Sequence, residues 1–255
     1  MQLNQTWNSD APLVIAHRGA SLHAPENTIS AFRLAVEQGA DAIEFDVKLS
    51  RDSYVVIHHD MTLNRTTTGK GRVKDHSLEE LRRLDAGVKF DREFAGESIP
   101  TLLEVAERFK NAILLNIELT NYNDPLDKLP SRVLKLIQET DSIERVLISS
   151  FNPFALRAIR QMSVEARTAL LLGPKLPNII QRWLQRIAPH EDLHPHQGIV
   201  TEAMIARVHR SNGRVNAWTV NEFSQMVELL EGGINGIITD DVEMAVRARR
   251  DVYSK

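Results

Sequence analysis

Short runs rich in Ile, Val and Leu alternate along the chain with longer stretches in which apolar residues recur every three or four positions. The short runs predict strands at residues 13–16, 42–48, 113–119, 146–149, 169–172, 215–220 and 236–239. The longer stretches predict helices over 28–38, 102–109, 131–139, 154–162, 179–187, 201–211, 222–231 and 242–250. Asn27 is a candidate N-cap for the first helix, Gly39 marks its end, and Trp183 lies on the apolar face of the 179–187 helix. Strand–helix alternation of this kind builds parallel βα units. About seven are clear, and an eighth strand is expected near Asp192–His196. The 255 residues match the length of an eight-fold barrel. The reading is therefore an α/β fold, a (β/α)8 barrel, although periodicity alone does not separate a closed barrel from an open sheet.

The rhythm breaks between Met61 and Pro100. That interval is polar and turn-rich, with Thr66, Thr67, Thr68, Gly69, Lys70 and Gly71 in a row. Leu78, Leu81 and Leu84 keep a helical spacing, which argues for an ordered insertion over one end of the barrel. Neither a repeat nor a linker marks a second domain, so the chain reads as one domain over 1–255 with an insertion at about 61–100.

Composition narrows the function classes. A net charge of −3 supplies no basic field for nucleic acid. The absence of cysteine removes disulfides, thiolate nucleophiles and Cys-ligated zinc. The polar start, Met1–Pro12, lacks a basic-then-apolar leader, and no apolar run reaches the roughly 18 to 20 residues of a membrane span. A cytoplasmic protein without stable membrane insertion is the expectation.

The ionisable residues at strand ends carry the candidate chemistry. His17 and Arg18 follow the first strand, Glu44 and Asp46 lie on the second, His59 follows residues 54–57, and Glu118 closes the 113–119 strand. Side chains at the carboxyl ends of barrel strands converge on one face. Glu44 and Asp46, two apart, share a strand face. At on the order of 6.5 Å, their repulsion is roughly 2 to 3 kcal/mol. A hard divalent cation, Mg²⁺ or Ca²⁺, would offset it, with Glu118 as third ligand. The spacing is equally compatible with two carboxylates paired to Lys or Arg on a solvated edge. His17 and His59 suit acid–base work, and Arg18 suits a bidentate phosphate grip, although either residue type also occurs in purely structural roles. His58 and His59 point to opposite faces, so one of the two enters a pocket. Trp218, at a strand end, suits packing against a substrate's apolar edge as well as it suits the barrel rim.

Several ordered segments together resemble the glycerophosphodiester phosphodiesterase family. They are Ala16-His17-Arg18-Gly19-Ala20, Pro25-Glu26-Asn27-Thr28, Ile43-Glu44-Phe45-Asp46-Val47 and Val55-Val56-Ile57-His58-His59-Asp60. Farther along come Asn116-Ile117-Glu118-Leu119, Ser149-Ser150-Phe151-Asn152, Trp218-Thr219-Val220-Asn221 and Gly236-Ile237-Ile238-Thr239-Asp240. The resemblance implies a TIM-type barrel with a small cap inserted after the second strand. It implies hydrolysis of glycerophosphodiesters, such as glycerophosphocholine or glycerophosphoethanolamine, to sn-glycerol 3-phosphate and an alcohol. By the same resemblance, His17 is the proton acceptor and His59, rather than His58, the donor. Glu44, Asp46 and Glu118 hold one divalent cation, Arg18 contacts phosphate, and Glu26 and Asn27 orient the site.

One position departs from the family pattern. A lysine is common two residues after the third-strand glutamate, and here that residue is Thr120, on one strand face with Asn116 and Glu118. Lys48, two residues after Asp46, is a candidate replacement cation. With aromatics at 5%, no dedicated choline cage is evident, which favours broad headgroup tolerance. Two competing readings stay open. One is a lysophospholipase D-like enzyme, using an apolar lip between Leu170 and Trp183 that includes Pro174, Leu176, Ile179 and Ile180. The other is a non-catalytic binding protein with a decayed site.

Overall fold

The computed structural model describes residues 6–122, 124–175 and 177–254. Its strands are β1 (Leu13–His17), β2 (Ala42–Leu49), β3 (Val55–Ile57), β4 (Leu114–Leu119), β5 (Val146–Ser150), β6 (Arg167–Leu172), β7 (Asp192–Pro195), β8 (Asn216–Ala217) and β9 (Gly236–Thr239). The parallel strands run in the order β7-β6-β5-β4-β2-β1-β9-β8. Parallel bridges Leu193↔Val215 and His196↔Trp218 join β7 to β8 and bring the ring round on itself. β3 folds back antiparallel on β2, from Val47↔Ile57 to Leu49↔Val55. The fold is thus a TIM-type barrel, and the weak strand expected near Asp192 is present as β7.

The helices are α1 (Ile29–Glu37), α2 (Leu78–Arg82), α3 (Leu102–Phe109), α4 (Leu129–Glu139), α5 (Pro153–Met162), α6 (Asn178–Ile187), α7 (Glu202–His209), α8 (Phe223–Glu231) and α9 (Val242–Tyr253). The twofold alternation of each strand divides its side chains between two environments. Ile43, Phe45 and Val47 of β2 join the large core between strands and helices. Ala42 faces inward with Leu13, Ile15, Leu114, Leu147, Ala169 and Ile238. Trp7 packs onto this inner layer, and its indole N–H donates to the Arg145 carbonyl at 3.1 Å. The inner layer at the amino end of the strands is thus largely apolar, with the Arg167–Asp192 ion pair at 2.8 Å as its charged exception, and the candidate site residues occupy the other end.

Several elements differ from the expectations set by the chain. Thr28, not Asn27, caps α1, its hydroxyl accepting from the Ala31 amide. Asn27 sits in the left-handed region at φ 60° and commits its side chain to Asp46, a tertiary partner that no local rule reveals. The expected 215–220 strand shrinks to β8, because its neighbour β7 meets it only through isolated bridges. Leu184 of α6 packs on the core, but Trp183 is 55% exposed, so much of the helix's apolar surface is turned to solvent. In the expected lip, Leu170 and Leu172 are buried in the wall, while Leu176 lies outside the described residues.

The 61–100 interval holds α2 and two short 3₁₀ turns, and it has a small core of its own. Leu63, Val73, Leu81, Ala86 and Ile99 bury one another against Val56, with Leu78 and Leu84 alongside. A capping box, Ser77 with Glu80, starts α2. Replacing Trp7 with Ala removes the plug of the inner layer. We expect a loss of about 3–5 kcal/mol of stability in equilibrium denaturation, and an unchanged midpoint would show that the plug is dispensable.

Candidate active site

The chain's first turn after β1 sets the site's geometry. Arg18 is left-handed at φ 59°, and Gly19 follows at φ 85°. A Cβ on Gly19 would stand 2.7 Å from the Ala31 backbone carbon, so the close approach of α1 needs glycine there. This turn aims the Arg18 amide at Glu44 Oε2, 3.1 Å away. Its guanidinium reaches Glu26 Oε1 at 3.0 Å through Nη1 and Asp46 Oδ2 at 3.3 Å through Nε. Asn27 Nδ2 donates to Asp46 Oδ2 at 3.0 Å, and the Asp46 amide donates back to Asn27 Oδ1 at 3.3 Å.

β2 and β4 lie side by side with Asp46 opposite Glu118 and Glu44 opposite Asn116. Glu44, Asp46 and Glu118 each bring a carboxylate oxygen to within 4.8 Å of the others. Side-chain rotamers thus close the carboxylates more tightly than strand spacing alone suggests. Burial, then the charges of Asp46 and Glu118, push the Glu44 carboxyl well up, against the pull of Arg18. Burial and Asp46 push Glu118 up to about 8. Among the described residues, Glu44 Oε1 has no hydrogen-bond partner. Three crowded carboxylates, two buried and Glu118 half-buried, with one oxygen unpartnered, fit a hard divalent cation.

The two sequence-predicted histidines flank this cluster, and each has a carboxylate behind it. His17 Nδ1 is 2.6 Å from Asp240 Oδ1. Burial works to raise the Asp240 carboxyl, but hydrogen bonds from His17, Asn221 and Ser21, with the His17 charge, hold it at about 2. His59 Nδ1 is 2.7 Å from Asp60 Oδ1. Asp60 in turn accepts from Arg65, at 2.8 Å from Nε and 3.0 Å from Nη2. Arg65 also grips Glu26 at 2.6 and 2.8 Å, which links the insertion to the turn after β1. His58 points the other way, buried, with Nε2 donating to the Thr62 carbonyl at 3.0 Å. Burial lowers its basicity.

A small pocket of about 70 Å³ is lined by His17, Arg18, Glu44, His59, Asn116, Glu118, Phe151, Leu171, Trp218 and Ile238. Asn116 is 1% exposed, and neither its side-chain oxygen nor its nitrogen has a partner among the described residues. Lys48 and Thr120 are not part of that lining; they border a separate pocket with Met61, Val73 and Asn121, and Lys48 donates to Thr120 Oγ1 at 2.6 Å. The Thr120 hydroxyl donates to the Val47 carbonyl at 2.8 Å. Burial lowers the Lys48 ammonium, against the attraction of Asp46, Glu118 and Asp60.

Three contributors escaped the sequence reading. The Tyr122 hydroxyl donates to Glu118 Oε1. Its ring meets Phe151 edge-on at 5.8 Å, Phe151 meets Trp218 at 5.4 Å, and Trp218 meets His196 at 5.2 Å. An aromatic wall therefore exists despite the low aromatic content, assembled from residues on separate connections. Asp240 had a legible signal, its place at the carboxyl end of the last strand. Tyr122 and Arg65 sit in loops with no periodicity to place them.

Comparisons with known proteins identify the family. The sequence profile of the glycerophosphoryl diester phosphodiesterase family matches residues 17–244. The chain belongs to that family, whose members are phosphoric diester hydrolases. It is 40% identical over 240 residues to a glycerophosphodiester phosphodiesterase of Caldanaerobacter subterraneus subsp. tengcongensis, covering 93% of this chain and 98% of the relative. A phosphodiesterase of Oleispira antarctica, solved in complex with the product sn-glycerol 3-phosphate, superposes with a TM-score of 0.85 at 33% identity. That match covers 93% of this chain and 96% of the other. A putative enzyme of the family from Silicibacter pomeroyi gives a TM-score of 0.84 at 25% identity, over 94% of both chains.

The raised Glu118 carboxyl has a consequence for the metal-free protein. Between the unfolded value near 4.5 and about 8, the folded state binds more protons at Glu118 than the unfolded state. This group's contribution to stability is therefore lost as pH rises through that window. Glu118→Gln should raise the melting temperature of chelator-treated protein at pH 8 by on the order of 5 °C, with little effect at pH 5. Equal shifts at both pH values would contradict this.

Proposed function

We propose that the chain hydrolyses glycerophosphodiesters to sn-glycerol 3-phosphate and an alcohol, with His17 and His59 as the proton-transfer pair and Glu44, Asp46 and Glu118 as the cation ligands. One observation carries the reading: two histidines, each with Nδ1 against an aspartate, line one pocket with Glu44 and Glu118, whose carboxylates cluster with that of Asp46. A divalent cation held by the triad would supply Lewis-acid stabilisation of phosphoryl charge. Everything else is work for the chain's own groups.

With Nδ1 tied to Asp240, His17 presents Nε2 as acceptor for the proton of the attacking hydroxyl or water. As the new P–O bond forms and the bond to the headgroup oxygen breaks, the departing alkoxide takes a proton from Nε2 of protonated His59. Asp60 stabilises that imidazolium while Arg65 holds Asp60 in place. Arg18 is locked between Glu26 and Asp46, already ordered before substrate arrives, and so is positioned to meet the phosphoryl oxygens as charge builds on them. Asn116 offers unused hydrogen-bonding capacity to the bound diester or its cation. Trp218 and Phe151 give the glycerol carbons an apolar wall. The product complex of the Oleispira antarctica relative supports a small phosphorylated triol as ligand of this fold.

The coupled release of glycerol 3-phosphate from several glycerophosphodiesters tests the reading. Chelation should abolish turnover, Mg²⁺ or Ca²⁺ should restore it, and His17→Asn or His59→Asn should each cost about 10²–10⁴ in kcat. Turnover unaffected by thorough metal removal would sink the cation assignment.

Lys48 supplies the cation that Thr120 lacks. Its ammonium donates to the Thr120 hydroxyl and feels the charges of Asp46 and Glu118, which puts a cation beside the carboxylate cluster from the neighbouring strand. Lys48→Met should lower kcat/KM by about tenfold or more, and adding Thr120→Lys to it should recover most of that loss. A double variant no better than Lys48→Met would exclude the substitution.

A further inference from the structure

We propose that the outer face of α5 and α6, at the rim of the pocket, docks this protein onto an anionic lipid bilayer as a peripheral protein. Three observations on one face carry this. First, α6 presents apolar residues outward. Gln181 and Ala188 are buried, whereas Ile179 is 78%, Ile180 41% and Trp183 55% exposed. A soluble helix normally hides such residues and shows its glutamines, so an apolar face of this kind marks a contact surface. Phe154, in the first turn of the neighbouring α5, is 54% exposed.

Second, the charge is lopsided. The whole chain carries −3, yet residues 152–187 contain six basic residues and one acid, Glu165. Arg160 and Arg167 are paired with Glu191 and Asp192. Among the described residues, no carboxylate lies within ion-pair reach of Arg157, Lys175, Arg182 or Arg186. Exposed Trp and Ile beside such arginines on one helix is the pattern of a helix that lies in a bilayer interface. Third, place matters. α5 and α6 leave the carboxyl ends of β5 and β6, the end at which Leu171 of β6 lines the pocket. Their first turns, with Phe154, Ile179 and Ile180, therefore stand on the same rim as the site.

A bilayer fits this face better than a second copy of the chain does. A twofold contact sets the same patch against itself, so a face whose free charges are all basic would oppose its own like charge. An anionic surface takes the same charges favourably, each arginine near it strengthening binding by about fivefold. The contact is superficial, because no described helix is long and apolar enough to cross a membrane.

The test is co-sedimentation with phosphatidylcholine vesicles, with and without phosphatidylglycerol, read alongside Trp fluorescence. The full chain should pellet with the anionic vesicles at least about tenfold more than with neutral ones. The emission should shift to the blue, and about 0.5 M salt should release the protein. Trp183→Ser with Ile180→Ser, and separately Arg182→Glu with Arg186→Glu, should each cut vesicle binding at least about tenfold. Both should leave melting temperature and turnover of soluble glycerophosphocholine unchanged. Equal binding by all variants, or no preference for anionic vesicles, would overturn the proposal. So would concentration-dependent dimerisation in sedimentation velocity that the Trp183→Ser variant abolishes.

Discussion

Holding Glu44, Asp46 and Glu118 together in a buried pocket is the constraint on which the rest of this structure depends. Like charges at such a distance in a desolvated place oppose folding unless other groups offset them. The chain meets that demand with fixed partners. The Arg18 guanidinium lies against Asp46 and its amide on Glu44, Asn27 holds Asp46 from the side, and Tyr122 holds Glu118. Two of these partners, Arg18 and Asn27, adopt left-handed backbone conformations to do so. Strain of this kind persists where surrounding structure over-determines it, and two of the five left-handed non-glycine residues among those described stand at this site.

The compensation is incomplete within the protein itself. The Glu44 and Glu118 carboxyls are still pushed up, and Glu44 Oε1 lacks a partner among the described residues. A cation held here would relieve that electrostatic cost, and would thereby link stability to ligand binding through the same three carboxylates. The insertion joins this arrangement through Arg65, which ties Asp60 to Glu26 and so connects the His59 side of the pocket to the Arg18 side. A charge-assisted network spanning separate loops fixes their relative placement more tightly than apolar contact would.

Much of this was legible in the chain. Alternating strand and helix signals, set by local periodicities of two and 3.6, placed most elements to within a few residues, and barrel geometry put His17, Arg18, Glu44, His59 and Glu118 on one face. Local rules failed where a tertiary partner overrode them. Asn27 had the credentials of a cap, yet Asp46 claimed its side chain and Thr28 took the cap. The spacing of apolar residues in α6 correctly signalled a helix, but spacing does not state which way each apolar side chain turns, and Trp183 turned outward.

By itself, the sequence determined the α/β class, about seven of the strand–helix units and the family resemblance, because each rests on short-range patterns or on ordered segments readable one after another; the β7 strand and closure of the ring came from the tertiary structure. It also determined which ionisable residues stand at strand ends. Only the tertiary structure decided which groups back them: Asp240 behind His17, Arg65 behind Asp60, Tyr122 on Glu118 and Lys48 on Thr120. Arg65 is five residues from Asp60 and Tyr122 four from Glu118, but Lys48 and Thr120 are 72 apart and His17 and Asp240 223. Contacts across such separations depend on barrel closure and rotamer choice, and no local property of the chain encodes either.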